Sequence, residues 1–325
     1  MELRNRLLVI VDQGDERHAA LERARWLARR LDAPVDLRVY YQAVPGLGEQ
    51  FIDSRVLEMA VEQMRREKLD CLEALAGPLR GEGLTVTVDA VAGTPVAESI
   101  LADIIRLQPR LVLKAADHHA PLSRTFFSET DWQLMRTSPA PVLMVRREHE
   151  MPGRPVLIAA VDPLHEHDKP AALDEKILAT ASELARATAA RLEVVHCYDV
   201  TPLVTGMSAS PMLPAPLQTE EVAESLETHH RRALDDLVVG HELPADAIHL
   251  LEGAPRWRLP EFCTEADADI VVMGAVSRSA LERMFIGGLA EKVLDRLPCD
   301  LLIVKPDGFV CPEILELTDA QDKDL

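Results

Sequence analysis

A stretch late in the chain, VVMGAVSRSALERMFIGGLAEKVL over residues 271–294, has the residue types of an anion-binding loop. An aliphatic run stops at Gly274, a polar loop follows, and Gly287 and Gly288 open a pattern with helical spacing. Glycines let the backbone approach a phosphate, and a helix start supplies free N–H groups and the positive end of a dipole. Arg278 and Arg283 add positive charge to the loop. The bland alternative is a tight strand-to-helix turn that needs glycine only for its shape.

Other groups of reactive residues are weaker signals. His165, His167 and Asp168 are residue types that zinc takes, but their spacing has no helical or strand frame and reads as a solvated loop. Asp117, His118 and His119 read the same way. One of His229 and His230 falls on the face of Val222, Leu226, Ala233 and Leu237, the pattern of a part-buried helix histidine. His196 ends a strand-like run and is either a ligand contact or a plain strand-end residue. The chain has no G-x-S-x-G, no H-E-x-x-H and no P-loop lysine, so nothing calls for catalysis and no metal site is expected.

The elements that must position these residues occur twice. RLLVIVD (6–12) returns as PVLIAAVD (155–162), so Asp12 and Asp162 both close a first strand. LARRLDAPVDLRVYY (27–41) returns as LARATAARLEVVHCY (184–198), and VAGTPVAESI (91–100) as LEGAPRWRLP (251–260). RLVLKAA (110–116) is matched to IVVMGAV (270–276), and SPAPVLMVR (138–146) to LPCDLLIVK (297–305). Five segments in one order describe a duplicated domain. Each copy alternates short aliphatic strands with amphipathic helices. Leu21, Ala24, Leu27 and Leu31 share one helical face, and Ile177, Ala181, Leu184 and Thr188 another. Strands without alternation, linked by helices, predict an α/β fold with a parallel, doubly wound sheet in each copy. The expected boundaries are 1–149, 150–312 and an acidic tail at 313–325.

Composition narrows the function. The 325 residues carry a formal charge of −19, which disfavours direct binding to nucleic acid and to an anionic membrane surface. The five cysteines form no C-x-x-C pair, as expected of thiols in a reducing cytoplasm. The hydrophobic run Leu7–Val11 is too short for a signal peptide, and no apolar stretch approaches a membrane span.

An aspartate at the first turn, G-x-P before the third helix (Gly93–Pro95 and Gly253–Pro255), a glycine loop after the fourth strand and a short last strand together resemble the universal stress protein family in its tandem form. The resemblance spans about residues 4–312. It implies two Rossmann-like domains of the adenine nucleotide alpha hydrolase-like type, each with a five-stranded parallel sheet. It also implies that PVLMV (141–145) and DLLIV (300–304) pair antiparallel, as an intramolecular pseudo-dimer.

Nucleotide-binding members carry G-x2-G-x9-G-[ST], with ATP as the ligand. Gly274 and Gly287 match the first and third glycines, Ser277 replaces the second, and Gly288 stands where the hydroxyl residue belongs. With Asp162 these make the candidate cofactor site in the second half. A serine Cβ in the loop and a missing hydroxyl are expected to weaken ATP binding by about 1–3 kcal/mol. In the first half Lys114 is read at the first glycine's place, and SETDW (128–132) at the glycine pair's. Ser128 and Thr130 suit a helix cap and Asp131 a first turn, so that loop is expected to be a capped helix start without a nucleotide.

The function that the resemblance implies is non-catalytic: survival under stress, including DNA-damaging conditions, through binding of a ligand or protein. Two alternatives stay open. One is a nucleotide-dependent switch or weak ATPase on the second-half loop. The other is a carrier of a hydrophobic ligand lined by Met207, Met212, Leu213, Met284 and Phe285. The expected partners are a small molecule, other stress proteins and a second copy of the tandem chain.

Overall fold

The computed structural model describes residues 5–12, 18–42, 54–116, 127–146, 150–164, 172–201, 219–275 and 296–309. Two compact units divide the chain, one built on Met1–Met151 and the other on Pro152–Gly308, and each has its own core.

The first unit runs β1 (Leu7–Ile10), α1 (Ala19–Leu31), β2 (Val35–Tyr41), α2 (Ser54–Gly81), β3 (Val86–Ala92), α3 (Val96–Leu107), β4 (Leu111–Ala115), α4 (Glu129–Thr137) and β5 (Val142–Val145). Its strands lie in the order β3-β2-β1-β4-β5, every pair parallel. The second unit runs β6 (Val156–Val161), α5 (Leu173–Thr188), β7 (Arg191–Tyr198), α6 (Thr219–Val238), β8 (Ile248–Glu252), α7 (Pro255–Glu265), β9 (Ile270–Gly274) and β10 (Asp300–Val304). Its order is β10-β9-β6-β7-β8, again parallel throughout. The five-stranded, doubly wound sheet expected of each copy is present in both.

The residues explain the layering. β1, β4, β5 and β10 are buried along their whole length, because helices cover both faces of a parallel sheet. β3 and β8, each at one edge of its sheet, are partly exposed. On α1 the predicted stripe of Leu21, Ala24 and Leu27 is buried, while Leu31 at its end is half-buried. On α5 Ile177, Ala181, Leu184 and Thr188 are all buried, and the Thr188 hydroxyl is accommodated by donating to the Leu184 carbonyl at 2.7 Å.

This connectivity places the chemistry. In each unit the chain moves from its first strand outward to the second and third, then returns to the other side of the first. The order therefore reverses between β1 and β4, and between β6 and β9. A crevice opens at the carboxyl ends of strands at such a switch point, where ligands of open α/β sheets bind.

Candidate functional site

In the second unit, Asp162 follows β6 and Gly274 ends β9, so the fold brings these two predicted residues to either side of the switch point. The Asp162 side chain is 34% exposed, and its backbone N–H donates to Asp174 Oδ1 on the first turn of α5 at 3.1 Å. Just past Gly274, Ala275 N–H donates to the Val304 carbonyl at 3.2 Å. The Ala275 carbonyl in turn accepts from the buried Lys305 ammonium at 3.1 Å. The base of the loop is thus held from β10. Gly274 has a packing reason of its own: a Cβ there would lie 2.6 Å from Leu173 Cδ2, at the start of α5. Close approach is realised by the chain's own leucine. Ser277, Gly287 and Gly288 lie outside the described residues, as do Met207, Met212, Leu213, Met284 and Phe285.

The first unit corrects one reading. Lys114 pairs with Ile10 and Met144, whereas Met273 pairs with Ala160 and Ile303, the corresponding residues of the second copy. Ala116 N–H bonds to Val145 O as Ala275 N–H bonds to Val304 O. Lys114 is therefore the counterpart of Met273, and Ala115 is the counterpart of Gly274. The expected match was one residue out of register, because a featureless aliphatic run offers no landmark to fix it.

The lysine nonetheless dominates that crevice. Its ammonium lies 2.7 Å from Asp12 Oδ2 and 3.0 Å from Asp131 Oδ1, so one cation spans the switch point from β4 to the end of β1 and the start of α4. Lys114 is 3% exposed at its side chain and Asp131 is wholly buried. Asp131 has a second task. Its Oδ2 accepts from Ser128 N–H at 2.8 Å while Ser128 Oγ accepts from Asp131 N–H at 3.2 Å, a reciprocal capping box. The capped start of α4 is as expected, with Ser128 as the cap. Thr130 lies inside the helix. The ion triad was not foreseen: Lys114 and Asp12 are 102 residues apart, and only the fold shows them to be neighbours.

Histidines supply the second unforeseen feature. His196, on β7, is 1% exposed. Its Nδ1 is 3.1 Å from the Val161 carbonyl oxygen and its Nε2 is 2.7 Å from His230 Nδ1 on α6. Asp162 Oδ1 is 3.9 Å from His196 Nδ1. The helix histidine that looked merely part-buried is thus bonded to the strand histidine. Residues 117–119 and 165, 167 and 168 lie outside the described residues. Among the described residues no group of three or more candidate ligands could hold a metal ion.

Two thiols of the second unit are held in their unreactive form. Burial pushes Cys197 up to about 12, despite the opposing pull of Arg258. Cys263 is raised first by its hydrogen bond with Cys299 and then by burial. Nucleophilic thiolates need the opposite shift. Among the described residues no helix is long and apolar enough to cross a membrane.

Comparison with known proteins agrees with this architecture. The family model described as Universal stress protein family matches residues 4–146 and again 167–305. The chain is 28% identical over 316 residues to universal stress protein E of Photorhabdus laumondii, covering 94% of this chain and 96% of that one. It is 28% identical over 332 residues to universal stress protein E of Escherichia coli K12, covering 99% and 100%. Among solved structures it resembles a protein of unknown function from Pseudomonas aeruginosa PAO1, with TM-score 0.71 and 24% identity over 98% of both chains. A universal stress protein from Archaeoglobus fulgidus superposes with TM-score 0.61 and 16% identity, over 93% of this chain and 98% of that one. The chain belongs to the universal stress protein family and carries two of its domains in tandem.

Proposed function

We propose that this is a non-catalytic, cytoplasmic stress-response protein that promotes survival, including under DNA-damaging conditions, by binding a small ligand or a partner protein through its second half. The observation that carries the assignment to the second half is the buried Lys114 ammonium between Asp12 and Asp131, which occupies the first half's crevice with the chain's own charge. The second half has Met273 at the lysine's place and keeps a glycine at 274. Its ligand in this reading is a nucleotide such as ATP, held weakly because Ser277 and Gly288 depart from the nucleotide-binding pattern. The charge of −19 makes any role in DNA damage indirect, and other stress proteins the natural partners.

Calorimetric titration with ATP tests the ligand half of the reading. Weak binding should be abolished by Asp162→Ala and strengthened about ten- to a hundredfold by Ser277→Gly with Gly288→Ser. No gain from the double change would mean that the affinity was lost elsewhere. Survival of a strain lacking the protein, with and without a plasmid copy, tests the role. Equal survival under every stress applied would remove it.

A further inference from the structure

One polar cluster in the second unit plays no part in that reading. The imidazoles of His196 and His230 meet edge to edge, with centroids 5.0 Å apart and planes inclined by 29°, and Tyr198 lies against the outer ring at 5.2 Å. We infer that His196 and His230 form a proton-sensitive clasp between β7 and α6, which holds while the pair carries no more than one added proton and releases when both rings are charged.

Hydrogen-bond chemistry fixes the proton positions. The Val161 carbonyl oxygen can only accept, so His196 Nδ1 carries a hydrogen and donates to it across 3.1 Å. In the neutral pair, His196 Nε2 is then the acceptor and His230 Nδ1 the donor, across 2.7 Å. One added proton keeps this bond and makes it charge-assisted, whichever ring holds the charge. A second proton leaves two donors facing each other with no lone pair between them. His196 is too deeply buried to turn toward water on its own, so relief falls to the part-buried His230 and to the helix that carries it, and loosens α6 from β7.

The surrounding charges support the first proton. Asp162 faces His196 from the end of β6, and Asp174 on α5 accepts from the Asp162 N–H. Around Tyr198, Glu227 on α6 and Glu252 on β8 act against a single arginine, Arg231 of α6. His229, the remaining titratable ring beside the pair, has its centroid 6.3 Å from that of His230. Arg258 of α7 opposes Asp162 at the neighbouring Cys197, so the carboxylate 3.9 Å from His196 Nδ1 is the group that favours one cation at the pair. The linkage then has a definite sign. The clasped form resists the second proton and the open form takes it up freely, so the clasp weakens as pH falls below the ordinary imidazole range, near about 6.5.

The test is a histidine titration by NMR on the full chain, with amide hydrogen exchange followed along α6. The two rings should titrate as a coupled pair, with midpoints separated by more than about one pH unit. Protection of the α6 amides, corrected for the intrinsic pH dependence of exchange, should fall at least about tenfold across the lower midpoint. His230→Gln offers His196 a donor or an acceptor in either state, so its α6 protection should stay level over the same range. Independent titration of both rings near the ordinary value overturns the clasp, as does an equal loss of protection in the wild type and in His230→Gln. Should that variant not fold, the wild-type titration decides alone.

Discussion

At the switch point between the first and fourth strands, the two halves of the chain treat the same crevice in opposite ways. The first half fills it with a buried cation held by two carboxylates, Lys114 between Asp12 and Asp131. The second half puts Met273 at the lysine's position and a glycine one residue later, against Leu173 of its own helix. In the proposed reading, duplication frees one copy from binding. The charges that close that copy then become structural, because a buried ammonium and its carboxylates can be removed only together.

The strongest way to break the comparison is to make the first half resemble the second. Lys114→Met strands a wholly buried Asp131 and should destabilise the first half by about 3–5 kcal/mol, read from denaturant unfolding followed by half-specific hydrogen exchange. Adding Asp131→Asn should recover part of that loss, since the amide is neutral. A loss below about 1 kcal/mol would reduce the triad to a surface-type pair. Next comes the glycine itself. Gly274→Ala drives a methyl into Leu173 and should cost about 1–3 kcal/mol, with relief from Leu173→Ala in the same chain. The mirror change, Ala115→Gly, should cost only about 0.5–1 kcal/mol in backbone entropy. Equal effects in the two halves would erase the distinction. Ser128→Ala removes one arm of the capping box and should cost about 1 kcal/mol, less in a chain that already lacks Asp131. The smallest effect belongs to what the halves share. Asp32 and Ala189 end α1 and α5 at φ 48° and 53°, a conformation that strains any side chain, so glycine at either place should gain less than about 1 kcal/mol.

Much of this fold could be read in the residues, for reasons the structure makes concrete. Aliphatic runs such as Leu7–Ile10 and Val142–Val145 are buried on both faces, so they show as unbroken apolar strings. The spacing of Ile177, Ala181, Leu184 and Thr188 marked the face that α5 buries. Ser128 could be seen as a cap because capping is a local act. The sites were harder because their parts are not local. Register between β4 and β9 depends on strand pairing, and Leu-Val-Leu against Val-Val-Met slides by a residue at no cost in pattern. His196 and His230 lie 34 residues apart, on elements that sequence spacing cannot set face to face.

The most direct measurement is backbone amide shift mapping of the intact, isotope-labelled chain during titration with ATP. Perturbed amides should cluster at Asp162, Gly274 and Ala275, while those of Asp12, Lys114 and Asp131 stay fixed. Shifts centred on Asp12 and Lys114, or none in either half at millimolar nucleotide, would contradict a closed first half and a binding second one.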